Sequence, residues 1–347
     1  MMNKEIKLAY IAGVLDGDGS FSLIKNPSSG HISPLYYPMI QLANAHKPLV
    51  DMFKDEFGGF RSERLSYFGK DKSVRRPSHQ WKMEKSTSCL PFLEEIIPYL
   101  VVKKERATYL RDYILDNPFK RGGGRLDDNI LRNRESAYIK MKSLNEYADI
   151  HGNILSKNKR IDSSDEQFWA YVAGIMDTDG SFSVKKENRA ADGCINPKYS
   201  VLILLTMNDC RAIYHIYNNF DGGNIITVKA KTSNQGFCYR YMLNNREKVI
   251  KFLKNCIPYL FIKKDIAINL LGFCESFKSS AGPKGLSSEE LSSRESYYLK
   301  AKELHGVYKS PVIDLELHRK DADNKGQAGN VQAERLTPET SQEDVIV

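Results

Sequence analysis

The sequence predicts an α+β fold built twice. Two pseudo-twofold-related units each read α-β-β-α-β-β-α with a further helix, and each holds a four-stranded antiparallel sheet. Three observations predict this. First, residues 10–22, YIAGVLDGDGSFS, return at 171–183 as YVAGIMDTDGSFS, with nine of thirteen positions identical and three of the four changes conservative apolar exchanges. Second, later matches keep the same order and nearly the same spacing. PYLVVKK at 98–104 pairs with PYLFIKK at 258–264, and Arg134-Glu135-Ser136 with Arg294-Glu295-Ser296. The residues that follow, Tyr138, Lys140, Lys142 and Leu144, recur as Tyr298, Lys300, Lys302 and Leu304. Third, each first motif is followed by a change from helical periodicity to strict alternation. A collinear period of about 160 residues marks a duplicated domain, because solenoid repeats run to roughly 20–50.

Within each copy the elements follow in order. A short helix carries Leu8 to Leu15, and Phe168 to Met176 in the second copy. Ser163-x-x-Glu166 fits a capping box at the second start. D-G-D-G and D-T-D-G are expected to break these helices, since glycine favours a C-cap or turn. The strand that follows puts Phe21 and Leu23 on one face and Ser22 and Ile24 on the other. A second strand covers Tyr36 to Leu42, matched by Tyr199 to Thr206. Leu49, Phe53 and Phe57 make one face of an amphipathic helix, matched by Ile213, Ile216 and Phe220. A Gly58-Gly59 corner, with Gly222-Gly223 as partner, leads into a hairpin over 60–68 and 78–85, matched by 224–231 and 237–243. Helices then fill 88–116 and 132–148, with counterparts near 245–275 and 290–307. Helices gathered on one face of an antiparallel sheet leave the other face for solvent or a ligand. The units span 1–149 and 164–312, with 150–163 as linker and 313–347 as an acidic tail whose composition predicts disorder.

Composition narrows the class. At 347 residues, 41% hydrophobic and 27% charged, the chain is ordinary for a globular protein of about two domains. No apolar run approaches the roughly 20 residues of a membrane span, and the longest, Val201 to Met207, has the length of a buried strand. The N-terminus lacks the apolar core and cleavage site of a secretory signal. Six cysteines without a C-x-x-C pair form neither a zinc ribbon nor a dense disulfide framework, so a reducing intracellular compartment is expected. The net charge of +8 is uneven. Residues 313–347 hold eight acids and four bases, so the remainder carries +12. A basic body favours a polyanionic partner, although a merely soluble basic protein satisfies the charge equally well.

The repeated motif carries the chemistry. Ala12-Gly13 and Ala173-Gly174 put small residues mid-helix, where glycine costs about 1 kcal/mol against alanine. Close approach of the two motif helices gives that cost a reason. Their ends then bring Asp16-Gly17-Asp18-Gly19 beside Asp177-Thr178-Asp179-Gly180. The first acid of each motif suits capping of backbone amides. The second, just past the helix end, puts two carboxylates near one axis, where they repel unless a proton or cation lies between them. Carboxylate and carbonyl oxygens suit hard cations such as Mg²⁺.

Basic residues follow the strands. The first copy offers Lys25, Arg61, Arg64, Lys70, Lys72, Arg75, Arg76 and Lys82, with Ser22, Tyr37 and Gln41 beside them. The second offers Lys185, Lys186, Arg189, Lys198, Lys229, Lys231 and Arg240. Tyr36, Tyr67, Tyr199 and Tyr239 are interleaved. Arg reads guanine, Asn and Gln read adenine, and Lys and Arg neutralise phosphates. Each alone reads as a solvated surface charge. As a set on two equivalent sheets they predict a nucleic-acid saddle.

These motifs resemble those of the monomeric, double-motif LAGLIDADG homing endonucleases, over essentially all of 5–308. The resemblance implies motif helices at the interface and two sheets forming a DNA-binding saddle. It implies that Asp18 and Asp179 bind catalytic divalent metals, Mg²⁺ with Mn²⁺ or Ca²⁺ able to occupy the same sites, assisted by the carbonyls of Gly17 and Thr178. It places active-site lysines at Lys103 and Lys263, for which the competing reading is a solvated helix face. A polar, water-positioning residue is usual after the second strand, and His46 and either Asn208 or Asp209 stand there. The implied activity is a staggered double-strand break in a long, non-palindromic target during intron homing, by a monomer with no membrane partner. The alternative on the same fold is an intron RNA maturase, a splicing cofactor, or a protein with both activities. The implied setting is an organelle or a bacterial cytoplasm. Thr178 replaces the usual Ala or Gly between the acids, and both motifs begin with Tyr where Leu is usual.

Overall fold

A computed structural model describes residues 3–27, 33–64, 67–68, 74–75, 77–117, 127–144, 165–188, 196–229, 237–277 and 286–307. They lie within one body, Met1–Tyr308. The expected linker at 150–163 and acidic tail at 313–347 fall outside the described residues. Among the described residues no helix is long and apolar enough to cross a membrane.

The first copy runs α1 (Lys4–Asp18), β1 (Gly19–Asn26), β2 (Leu35–Asn44), α2 (Lys47–Phe57), β3 (Phe60–Arg64), β4 (Tyr67–Phe68), β5 (Val74–Arg75), β6 (Ser78–Met83), α3 (Ser86–Ile96), α4 (Lys104–Asp116) and α5 (Asp128–Ser143). The second runs α6 (Glu166–Thr178), β7 (Gly180–Glu187), β8 (Lys198–Met207), α7 (Arg211–Asn219), β9 (Asn224–Lys229), β10 (Phe237–Leu243), α8 (Arg246–Cys256), α9 (Lys264–Ser276) and α10 (Ser288–Val307). The two antiparallel sheets have matching orders, β1-β2-β6-β3 and β7-β8-β10-β9, and the short β4 and β5 pair with each other. Gly19 faces Leu42 in one sheet and Gly180 faces Leu205 in the other, so the registers coincide.

Three local expectations are corrected. The motif helices do not stop at the first acid. α1 continues through Asp16 and Gly17 to Asp18, and α6 ends at Thr178 with Asp179 as its C-cap. The break comes one step later, at Gly19 and Gly180, which open the strands. The cap of α6 is Asp165, whose Oδ1 accepts the amides of Gln167 and Phe168 at 2.9 and 3.2 Å, and not Ser163. The span 88–116 is two helices, because Pro98 lies in a 3-10 turn at Ile97–Tyr99 and the chain bends again before Lys104.

Alternation assigns the sheet faces. Phe21, Leu23, Ile40, Leu42, Trp81 and Met83 are buried on one side, as are Phe182, Val184, Ile203, Leu205, Tyr241 and Leu243 in the second copy. Helices α2, α3, α4 and α5 pack on the buried side of the first sheet. The opposite faces carry Ser22, Tyr37, Gln41 and Lys82 in the first sheet, and Lys185, Lys198 and Arg240 in the second. The repeated RES helices lock onto the buried side by one device used twice. Glu135 of α5 pairs with Lys25 at 2.7 Å and accepts from the Tyr36 hydroxyl. Glu295 of α10 pairs with Lys186 at 2.7 Å and accepts from the Tyr199 hydroxyl. This accounts for the recurrence of that helix in the sequence.

Candidate active site

The two motif helices, α1 and α6, pack against each other along their glycines. A methyl group added at Gly13 would sit 2.1 Å from the carbonyl oxygen of Tyr171, and one at Gly174 would sit 2.1 Å from that of Tyr10. The backbones touch, as the paired glycines predict, and the helix ends meet. At those ends Gly17 faces Thr178, whose Oγ1 would lie 2.0 Å from a Gly17 methyl, with Asp179 Oδ2 at 3.2 Å. The Thr178 side chain fits because its opposite number has none, and its hydroxyl donates back to Ile175 O at 3.0 Å.

The first acids are buried and satisfied by backbone, as expected in kind, but their partners are distant in sequence. Asp16 Oδ2 accepts the amides of Val101 and Val102 at 2.8 and 2.9 Å, and Oδ1 accepts that of Lys103 at 2.8 Å. Asp177 does the same for Phe261, Ile262 and Lys263, at 2.8, 3.1 and 2.8 Å. This explains the repeated PYL-x-x-KK segment: it is a turn wrapped on a carboxylate. Burial raises the Asp16 carboxyl, and the three amides oppose the rise.

The turns deliver Lys103 and Lys263. These lysines do not lie on solvated helix faces. Lys103 Nζ donates to the carbonyls of Leu15, Gly17 and Gly19 at 2.8, 2.9 and 2.7 Å. Lys263 Nζ donates to those of Met176, Thr178 and Gly180 at 2.8, 2.9 and 2.7 Å. Each ammonium caps the last carbonyls of a motif helix, where a cation is favoured by the helix dipole. Burial pulls both lysines down, and the neighbouring acids pull them back up.

The second acids stand at the helix ends. Asp18 is half-buried; Asp179 is more open to solvent, yet packed closely enough beside Gly17 to lose part of its hydration. Burial and then the charge of Asp179 push the Asp18 carboxyl from 3.8 up to about 6, against the Asn44 amide and both lysines. Burial also raises Asp179, again opposed by both lysines. An acid held above its ordinary value stabilises the fold at low pH and loses that contribution as pH rises. The metal-free protein is therefore expected to lose about 2 kcal/mol from Asp18 between pH 4 and 6.5, after discounting for solvent screening. Denaturant titrations across that range check this, and Asp18→Asn should flatten the slope.

Sequence reasoning missed Asn44. It closes β2, and its Nδ2 donates to Asp18 Oδ2 at 2.6 Å. By register its counterpart at the end of β8 is Met207, which offers Asp179 no such bond. A comparison of the two copies at this position carries the signal, because a polar residue replaced by methionine beside a repeated acid marks an asymmetric site.

Residues 172–272 match the family model for LAGLIDADG endonucleases. The match falls within the second copy, from α6 through α9. No curated protein sequence matches it. Among solved structures it resembles I-SmaMI bound to an uncleaved DNA target in the presence of calcium ions, with 14% identity, 86% of this chain and 98% of that chain covered, and a TM-score of 0.59. It also resembles the I-LtrWI LAGLIDADG homing endonuclease bound to target DNA, with 15% identity, 86% and 98% covered, and a TM-score of 0.58. At these identities the likeness speaks to the fold, two four-stranded sheets in an α+β layout.

The predicted nucleic-acid residues divide by face. Ser22, Tyr37, Gln41, Arg64 and Lys82 of the first sheet, and Lys185, Lys198 and Arg240 of the second, fall on the sides away from the helices. Three cations do not. Arg61 shares the side of Trp81 and pairs with Asp51 of α2, while Lys25 and Lys186 serve the RES-helix clamps. Tyr36, Tyr199 and Tyr239 are likewise buried on the helix side. Lys70, Lys72, Arg76, Arg189 and Lys231 lie outside the described residues, as do the side chains of Tyr67, Arg75 and Lys229. Gln80, Ser200 and Thr206 share the outward faces, and strand alternation is the signal that finds them.

Of the candidates after the second strand, Asp209 is buried in a bidentate pair with Arg211, at 2.7 Å to Nη2. Asn208 Oδ1 accepts from the Cys238 thiol at 2.9 Å. His46 sits at the N-cap of α2, edge-on to Phe261 at 5.8 Å between ring centres. The side chain the structure gives to a second acid is Asn44.

Proposed function

We propose that this chain is a site-specific DNA endonuclease that makes a staggered double-strand break in a long, non-palindromic target, as in intron homing. The observation that carries the reading is the pairing of Asp18 and Asp179 at adjoining helix ends, with, on either side, a sheet face that no helix among the described residues packs against. Each copy supplies one acid and one sheet, so a single chain holds a whole site. The copies differ in sequence along their outward faces, and a target read by them is correspondingly non-palindromic. I-SmaMI bound to cleaved DNA is among the structures of this fold, with 13% identity, 86% of this chain and 96% of that chain covered, and a TM-score of 0.56.

The donor set suits a hard divalent cation. Burial raises both carboxylates, the charge of Asp179 raises Asp18 further, and the adjoining carbonyls of Gly17 and Thr178 would supply further oxygen. Asp18 and Asp179 would hold Mg²⁺, with Mn²⁺ or Ca²⁺ as substitutes. When bound, the cation supplies charge for the developing phosphorane and a more acidic water. The chain itself does the rest. Lys103 and Lys263 fix the helix ends that carry the acids, and Asn44 orients Asp18 through its amide. The outward cations Arg64, Lys82, Lys185, Lys198 and Arg240 neutralise phosphates, so affinity falls steeply with salt.

The test is direct. Purified protein with Mg²⁺ is incubated with a randomised duplex library, and double-strand ends are mapped. One strongly preferred site with staggered ends supports the reading. RNA binding without any DNA cutting, with Mg²⁺ or Mn²⁺, overturns it in favour of a splicing cofactor.

A further inference from the structure

The tyrosines that open the two motifs are not passive packing. Tyr10 and Tyr171 are both buried. Each reaches across the helix interface to the other copy. The Tyr10 hydroxyl donates to Asp177 Oδ2 at 2.9 Å, and the Tyr171 hydroxyl donates to Asp16 Oδ2 at 2.9 Å. Asp177 holds the turn Phe261–Lys263 through three amides, and Lys263 caps the helix that ends beside Asp179. Asp16 holds Val101–Lys103, and Lys103 caps the helix that ends at Asp18. Two crossed relays result. One runs from Tyr10 of the first copy to the Asp179 end of the second. The other runs from Tyr171 of the second copy to the Asp18 end of the first.

We propose that Tyr10 and Tyr171 are reciprocal positioning residues, each setting the lysine turn of the opposite half-site and so coupling the two halves. A buried carboxylate draws unusual strength from each donor, because water is not there to replace it. Removing the hydroxyl alone loosens the acid and the turn wrapped on it. The neighbouring turn, wrapped on the other acid, keeps all its partners. Phenylalanine retains the ring, so the helix packing is unchanged.

Hydrogen exchange on the full chain, without DNA or metal, tests this independently of any activity. Tyr10→Phe should speed exchange of the amides at 261–263 by about tenfold and leave 101–103 at the wild-type rate. Tyr171→Phe should do the reverse. Equal acceleration at both turns, acceleration in the same copy as the mutation, or no change at either turn overturns the proposal. A second arm rests on the endonuclease reading. On a cleaved target, Tyr10→Phe should slow the same strand that Lys263→Met slows, and Tyr171→Phe the strand that Lys103→Met slows. The opposite strand assignment overturns the crossed relay. If the wild-type protein cuts no DNA, the endonuclease reading fails while exchange still decides the relay.

Discussion

Asp18→Asn or Asp179→Asn abolishes double-strand cutting, with a loss of about a thousandfold or more, while DNA binding stays within about threefold. Asparagine keeps the size and planarity of the side chain and removes the charge. At position 18 the Asn44 amide, now 2.6 Å from Asp18 Oδ2, still finds a carbonyl oxygen after an amide flip. The fold therefore persists, and at neutral pH each variant sheds the repulsion between two carboxylates that the wild-type protein carries. On the proposed reading binding rests on the sheet faces, which neither change touches. A gel-based cleavage assay beside a binding titration separates the two effects. Full cutting by either variant would falsify the metal assignment.

Gly13→Ala or Gly174→Ala destabilises the protein by about 3–5 kcal/mol, in spite of the roughly 1 kcal/mol that alanine gains over glycine in a helix. The added methyl meets a backbone carbonyl oxygen at 2.1 Å, with a backbone nitrogen at 2.9 Å, at both positions. No rotamer relieves a contact with backbone, so the two motif helices must separate along their length. That separation also pulls the acids apart. Gly306→Ala is the control. It lies near the end of α10 with nothing within 4 Å of the added methyl, and is expected to be neutral or slightly stabilising. Urea unfolding of the three variants checks the contrast, and equal stability of all three would sink the close-approach argument.

Much of this was legible in the residues because a duplication reports twice. Two glycines at equivalent places pointed to helix contact, and apolar alternation in β1 assigned its faces. The face of Arg61 was not legible. Strand β3 reads FRSER and is exposed at every position, so no apolar residue sets its phase. Only the pairing of Arg61 with Trp81 reveals the side. The lysine caps were hidden for a different reason. Lys103 and the carbonyls it holds lie more than eighty residues apart, and no local pattern links a turn to a distant helix end. Asn44 was hidden because the family pattern points to residues after the second strand, whereas the side chain that meets Asp18 is the last of the strand itself.

The packing of Gly17 against Thr178 has a historical meaning. Proteins assembled from two identical subunits must place the same residue on both sides of a twofold axis. Here one side is bare and the other branched. Two copies of the second half, brought together by the same helix, would set threonine against threonine where there is room for one side chain. The branched residue thus commits the second half: it can meet a bare partner such as the first half, but no longer a copy of itself at this contact.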